Sequence, residues 1–488
     1  MDSLSLELQS REVVNQLLVY AGIVLFSLVV SLLLALGAYT VAAALLVGAS
    51  FTILFFAQPK IAVLLLLAAR FNLRVESIFG VSPDGILNLV TVLLGGFYWV
   101  MNHERIRWPQ ELRIMLVFLG FVVMSWFWSI WRIATLRMGL RIVGYYVLWM
   151  LVTGEFRTRR DLRLLINVLC LAAIPNVVYA IYGFLRNPAI FMGTTQKLGG
   201  LSYAYPWAVG QFSMALATLL LWYLAVSPRL FSLGNLLRWA LFLACFLILV
   251  MSKTRAAIIA FMLSNLPLLF LTKFVSLERR VFAAAAVVLV VALTLPALAT
   301  RFSDLTEKKT DVPWGEFDPD NSFEWRTELW RAELRYVRPY LLLGTGYGSI
   351  VWFNAFINQE VAYPVSGHGE YMKILIELGI PGVVLLACCM FASARYCWRR
   401  FKRGTDRLER VLAIAPLAVT LQWAMIAFVD DFLEVVGSAT QLFLMLAMVR
   451  AYELYIQPEL ESEGQREPAR APAPPRTFWR PRFGPARA

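Results

Sequence analysis

The sequence predicts an all-α polytopic integral membrane protein of about 12–14 transmembrane helices. Three observations predict it. Of 488 residues, 59% are hydrophobic and only 16% charged, with a mean hydropathy of +0.66, whereas soluble domains carry about 25% charged residues. Apolar runs close to the roughly 20 residues that cross a bilayer recur along most of the chain. The basic residues gather between those runs, so the net charge of +13 reflects retention of Lys and Arg on the inner face rather than affinity for nucleic acid.

Apolar windows fall near 13–35, 38–57, 84–102, 113–131, 134–153, 162–184, 204–226, 235–251, 254–273, 281–299, 372–396, 409–428 and 433–450, with a marginal one near 60–73. The first is too long for an ordinary signal-peptide core and lacks a small-residue cleavage site, so it reads as a span. The five cysteines, Cys170, Cys245, Cys388, Cys389 and Cys397, lie within or at the end of these windows. They read as packing residues, with no disulfide framework or metal site.

Sidedness follows from charge. Residues 395–410 carry seven basic side chains against Asp406 and Glu409, which marks an inner loop. Arg157, Arg159, Arg160 and Arg163 mark another, as do Arg105, Arg107 and Arg113, and the group Lys273, Arg279 and Arg280. If the window near 60–73 is a span, both termini are inside and the long polar interruption at 301–370 is outside. That segment holds eleven acidic and seven basic residues. The turns Ser252–Arg255 and Asp430–Glu434 share its side. The chain thus divides into a helical membrane domain over 1–455, the large outer loop 301–370 within it, and a Pro- and Arg-rich cytoplasmic tail over 456–488 with too little apolar surface to order itself. Weak attraction to membrane lipids is the most that tail need supply.

Within the outer loop, Asn321 followed by Glu324 reads as a helix start and Pro339 as its stop, predicting an amphipathic helix over 322–338. Its apolar stripe would be Phe323, Trp330, Leu334 and Val337. Arg326 falls on that stripe and needs an anion there, either a ligand or an acidic side chain of the loop. Arg331, Arg335 and Arg338 fall on another face and read as solvated. In Ser252-Lys253-Thr254-Arg255, Lys253 reads as a snorkelling anchor or a minor site residue, and Arg255, committed to a helix start on the outer side, as an anion ligand. His368, between Gly367 and Gly369 at the head of a span, can exchange a proton near neutral pH. The other histidine, His103, lies in an inner basic loop. The glycine series Gly344-Thr-Gly-Tyr-Gly348 follows no strand of a βαβ unit, so it reads as a tight turn rather than a nucleotide loop. Asp430 and Asp431 read as a solvated turn, or as alternative bases together with Glu324 and Glu370.

In order and spacing, Ser-Lys-Thr-Arg255, the loop bearing Arg326 and Trp330, Pro-Tyr-Leu-Leu-Leu-Gly-Thr-Gly-Tyr-Gly348 and Gly-His368-Gly-Glu-Tyr-Met-Lys-Ile-Leu-Ile-Glu-Leu-Gly-Ile-Pro-Gly382 resemble the O-antigen ligase and O-antigen polymerase superfamily of bacterial envelope glycosyltransferases. The resemblance is most specific between about 252 and 382. It departs from the family at Gly369, often Asn in relatives, and in Leu201–Trp207, which lacks an Asn often found after the Pro. It implies a metal-independent, GT-C-type inverting transferase of the bacterial inner membrane, with no cofactor and its site on the outer, periplasmic face. The implied donor is a glycan on undecaprenyl diphosphate, and the acceptor a sugar hydroxyl of lipid A core or of another lipid-linked glycan. Arg255 and Arg326 would hold the diphosphate and His368 would activate the acceptor, with Lys253, Trp330 and Glu370 as possible additional site residues. The competing class is a polysaccharide or lipid-linked sugar transporter or flippase, which would show repeated broken helices and charges deep in spans.

Overall fold

The structure is a computed structural model that describes residues 50–72, 83–102, 108–186, 206–227, 232–252, 254–303, 322–357, 369–404 and 406–466. It is an all-α polytopic membrane protein; no strand occurs among the described residues, and seven helices are long and apolar enough to cross a bilayer. The helices are α1 (Pro59–Asn72), α2 (Pro83–Asn102), α3 (Arg113–Met124), α4 (Arg132–Glu155), α5 (Arg159–Arg186), α6 (Pro206–Val226), α7 (Leu233–Met251), α8 (Arg255–Leu271) and α9 (Leu277–Ser303). There follow α10 (Ser322–Tyr336), α11 (Ile350–Ile357), α12 (Glu370–Arg403), α13 (Arg407–Ile426), α14 (Val436–Ala451) and α15 (Gln457–Arg466). The first window, near 13–35, lies outside the described residues.

Two expectations change at the ends. Residues 50–57 are helical and run into α1, because Gln58 N donates to Leu54 O and Ala62 N to Gln58 O across Pro59. A proline at a helix's first turn removes a donor the helix can spare, so α1 restarts at Pro59 after Gln58; at 14 residues it is not among the seven helices long enough to cross a bilayer. At the other end the chain passes through a π-turn, Tyr452–Ile456, into α15. Helix therefore covers 456–466 of the expected tail segment, and residues 467–488 lie outside the description.

α6 sits at the centre of the bundle, with 94% of its spanning window buried, packed against α7, α8, α13 and α14. A lipid-filled exterior gives no hydrophobic drive for helices to associate, so side-chain hydrogen bonds and close packing supply specificity. They do so where α6, α8 and α13 meet. Gln422 donates to Thr218 (2.7 Å) and Ser264 (2.9 Å), Asn265 donates to Thr218 (3.2 Å), and the Trp222 indole donates to Asn265 (2.9 Å).

The loops segregate to two ends of the bundle. Arg159 pairs with Asp406 and Arg399 with Glu111, and Arg410 lies over the Phe274 ring, so the loops expected inside meet at one end. Since Phe274 follows α8 and Arg410 opens α13, while Ser264 meets Gln422 near mid-helix, α8 and α13 run antiparallel. Arg255 consequently lies at the end where α13 finishes and the Asp430–Glu434 turn begins. Of the cysteines, Cys388 is exposed and the other four are buried.

Candidate functional site

α12 organises this end. Its sequence Glu377-Leu-Gly-Ile-Pro-Gly382 cannot continue a helix, because Pro381 has no N–H for the Glu377 carbonyl. The helix breaks at Gly379 (φ 68°, ψ −169°). Gly346 N then takes the Glu377 carbonyl (2.8 Å), Thr345 N takes Ile376 O (2.8 Å), and Ile380 N turns to Leu341 O (2.8 Å). The glycine series is therefore a splint for the break. Gly344 has φ 73°, and a Cβ there would stand 2.3 Å from the Glu377 backbone, so a side chain is excluded both by conformation and by space. On its other side the splint binds the α3–α4 turn, through Ile130 N to Thr345 O (2.9 Å) and the Trp128 indole to Leu343 O (2.8 Å).

α10 covers Ser322–Tyr336, close to the expected helix, and a 3₁₀ turn at Arg338–Tyr340 carries the predicted stop at Pro339. Its buried face differs from the expected stripe. Leu329, Glu333 and Val337 are buried, whereas Leu334 is 43% exposed. Periodicity in apolar residues picked Leu334, but packing against α11 selects Glu333. Arg331, Arg335 and Arg338 are exposed, as expected. Phe323 and Glu324 have no described side chains.

Arg326 is held by Asp430, Nη2 to Oδ1 at 3.2 Å, with side chains 20% and 7% exposed. Its Nε is buried and makes no hydrogen bond among the described residues. The anion that Arg326 needs is thus supplied from the turn after α13, a hundred residues away in sequence. This overturns the reading of Asp430 and Asp431 as a solvated turn: both are buried. Asp431 accepts from Gly369 N (3.2 Å), Asp430 O from Glu370 N (3.2 Å), and Ala427 O from Tyr371 N (3.1 Å). Trp330 packs against Gly369 closely enough that a Cβ there would lie 3.3 Å from its ring. Glu370 is fully buried, and its Oε2 accepts from Leu433 N (2.9 Å), so its carboxylate ties the turn to α12.

The geometry thus brings Arg326, Trp330 and Glu370 together with Asp430 and Asp431. Arg255 opens α8 at the same end, half-buried. Ser252 and Thr254 beside it pack on Gly210 of α6, where a Cβ would meet Ser252 Oγ at 2.5 Å. Lys253 and His368 lie outside the described residues, although Gly369, next to His368, is fixed by Asp431. Among the described residues no group of three or more His, Cys, Asp or Glu is placed to hold a metal ion.

Sequence reasoning missed Glu333. It is buried on the face of α10 that carries Arg326, and burial, opposed by the neighbouring Asn354 amide and reinforced by the charge of Asp431, pushes its carboxyl up to about 8. A glutamate three residues beyond Trp330 and seven beyond Arg326 was the available signal. It also missed Lys373, which is buried between Glu434 (2.6 Å) and Glu370 (3.8 Å).

One comparison with known proteins covers this part of the chain. A family model described as O-antigen ligase matches residues 240–387, from within α7 to just past the break in α12. It spans Arg255, the whole of α10, the glycine splint and the start of α12. No curated protein matches the chain. The match covers less than a third of the chain. The chain is thus a multi-pass membrane protein whose resemblance to the O-antigen ligase superfamily is supported over residues 240–387.

Proposed function

We propose that the protein is an inverting glycosyltransferase that moves a glycan from undecaprenyl diphosphate to an acceptor sugar hydroxyl, as an O-antigen ligase or a surface-polysaccharide polymerase. The observation that carries this reading is Arg326, oriented by buried Asp430 while its Nε makes no hydrogen bond among the described residues, on the end of the bundle that also bears Arg255 and Gly369. When the glycan leaves, negative charge builds on the diphosphate. Guanidinium groups already held in place stabilise that charge without reorganising during the reaction. Arg326 is the oriented donor and Arg255 the second. His368 takes the proton of the attacking hydroxyl, on the side of the anomeric carbon opposite the leaving diphosphate. One displacement of this kind inverts the anomeric centre. Glu370 does not serve as the base in this scheme, since its carboxylate is enclosed and occupied by Leu433 N.

This chemistry belongs on the outer face of the bacterial inner membrane. The segregation of basic loops to the opposite end supports that placement. Three changes test the reading: His368→Ala, Arg255→Ala and Arg326→Ala, each compared with the intact protein at equal expression in membranes given an undecaprenyl-diphosphate-linked glycan. The expected result is donor consumption by the intact protein that is lost in the variants. A ladder of products marks a polymerase and a single capped product a ligase. An intact protein that leaves the donor unchanged with both lipid A core and lipid-linked acceptors present would overturn the reading.

A further inference from the structure

Lys373 is in an unfavourable place for a lysine. Its N–H makes the first-turn bond of α12 to Gly369 O (2.9 Å), where the helix dipole opposes a positive charge. The side chain is 1% exposed, so the ammonium has also lost its water. What compensates is a set of contacts from three separate segments. Glu434 Oε1 lies 2.6 Å away, in the turn after α13. Glu370 Oε1 lies 3.8 Å away, one turn earlier on α12. The Tyr347 ring, from the glycine splint, faces the ammonium with its centroid at 5.7 Å.

These segments are the ones that place the site. The 427–435 turn provides Asp430, which holds Arg326, and Asp431, which holds Gly369 N beside His368. The splint fixes the break just beyond Glu377, and helical spacing puts Glu370, Lys373 and Glu377 on one buried face before it. Without the ammonium, half-buried Glu434 would lose its tie to α12 and face the buried Glu370 carboxylate across the joint, and the turn would come away from α12. We infer that Lys373 is a positioning residue for the transfer reaction, fixing the 427–435 turn against α12 so that Asp430 and Asp431 hold Arg326 and Gly369 in register. This rests on the proposed transferase reading for its catalytic consequence, but its structural part can be tested separately.

The test compares intact protein with Lys373→Arg, Lys373→Met and the double variant Lys373→Met/Glu434→Met, which removes a cation and an anion together. Amide hydrogen exchange in detergent is read first. Exchange at Gly369 and Leu433, whose N–H groups bond Asp431 and Glu370, should accelerate at least tenfold in both Met variants. Exchange at the Thr345 and Gly346 amides should stay as in the intact protein. Transfer is read second, with an undecaprenyl-diphosphate-linked glycan. The double variant should melt near the intact protein and keep its donor KM, yet lose about 100-fold in kcat, the cost of a misplacement on the order of 1 Å. Lys373→Arg should recover most of it.

Unchanged exchange at Gly369 and Leu433 in the Met variants would overturn the inference, whatever the activity. So would a double variant that regains full kcat, since Lys373 would then only neutralise Glu434. An intact protein without transfer activity would instead remove the catalytic reading while leaving the exchange result to decide whether Lys373 fixes the turn.

Discussion

At the end of α12 remote from the site, Arg400 donates to Glu409 (2.5 Å) and Gln457 (2.6 Å) and lies 3.6 Å from Glu453, whose other oxygen receives Arg450 (2.6 Å) and Tyr396 (2.8 Å). At the site end, Lys373 and Arg326 are surrounded by the carboxyl groups of Glu370, Glu377, Asp430, Asp431 and Glu434, with Glu333 close to Asp431. The first network is a clamp: Arg400 of α12, Glu409 of α13, Arg450 of α14 and Glu453 of the π-turn after it meet in balance. The second carries more acid than base and leaves Arg326 Nε without a hydrogen bond among the described residues. Both ends bury charge, at a cost in desolvation. Arg400 Nε is likewise without a hydrogen bond among the described residues, so what sets the site end apart is its excess of carboxyl groups and the greater exposure of Arg326, 20% against 9% for Arg400.

Substitutions at four positions sharpen or break that contrast. Arg326→Ala should have the largest effect, lowering kcat/KM for lipid-diphosphate donor by about 100- to 1000-fold, the usual loss when one preorganised charge-stabilising donor is removed. Arg326→Lys should recover little, because an ammonium lacks the planar fork that can hold Asp430 and a phosphate at once. Next, Arg400→Met should lower thermal stability by about 3–5 kcal/mol, since it strands Glu409 in a buried position, while the protein that remains folded turns over normally. A kcat as low as that of Arg326→Ala would erase the distinction between clamp and site.

Gly344→Ala comes third. Its added Cβ would stand 2.3 Å from the Glu377 backbone at a φ of 73°, and strain of this kind costs about 1–3 kcal/mol. Thermal melts should show the loss, with weaker protection of the Thr345 and Gly346 amides. The smallest effect is a slope. Glu333 has a folded pKa of about 8 against an ordinary 4.5, so the folded state holds a proton that the unfolded chain has released between those values. Stability is full below the unfolded value and falls as pH rises through about 8. Glu333→Gln should flatten the melting temperature over pH 5–8, and a slope identical to that of the intact protein would contradict the assignment.

How far each feature could be read from sequence depends on where its cause lies. α7 and α8 were legible because roughly 20 apolar residues in a row have one stable solution in a bilayer. The ends of α10 were legible because Pro339 acts locally. Pro381 likewise announces a break, though not what repairs it: the donors come from Thr345 and Gly346, more than thirty residues earlier. Asp430 and Asp431 were misread for the same reason. Two adjacent aspartates between spans look solvated until α10 and the head of α12 close over them. Leu334 and Glu333 exchanged places because periodicity ranks residues by polarity, whereas burial on α10 is decided by α11. Arg326 was placed correctly on a buried face, and its partner could not be named from a sequence in which the two are 104 positions apart.

The most direct test of a site at one end of α12 and a clamp at the other is kcat/KM for an undecaprenyl-diphosphate-linked glycan. It would be measured side by side for intact protein, Arg326→Ala and Arg400→Met in proteoliposomes, normalised to folded protein. The predicted result is transfer by the intact protein and Arg400→Met at similar rates, with Arg326→Ala lower by at least about 100-fold. Equal rates for Arg326→Ala and the intact protein, or no transfer by the intact protein with either class of acceptor, would contradict it.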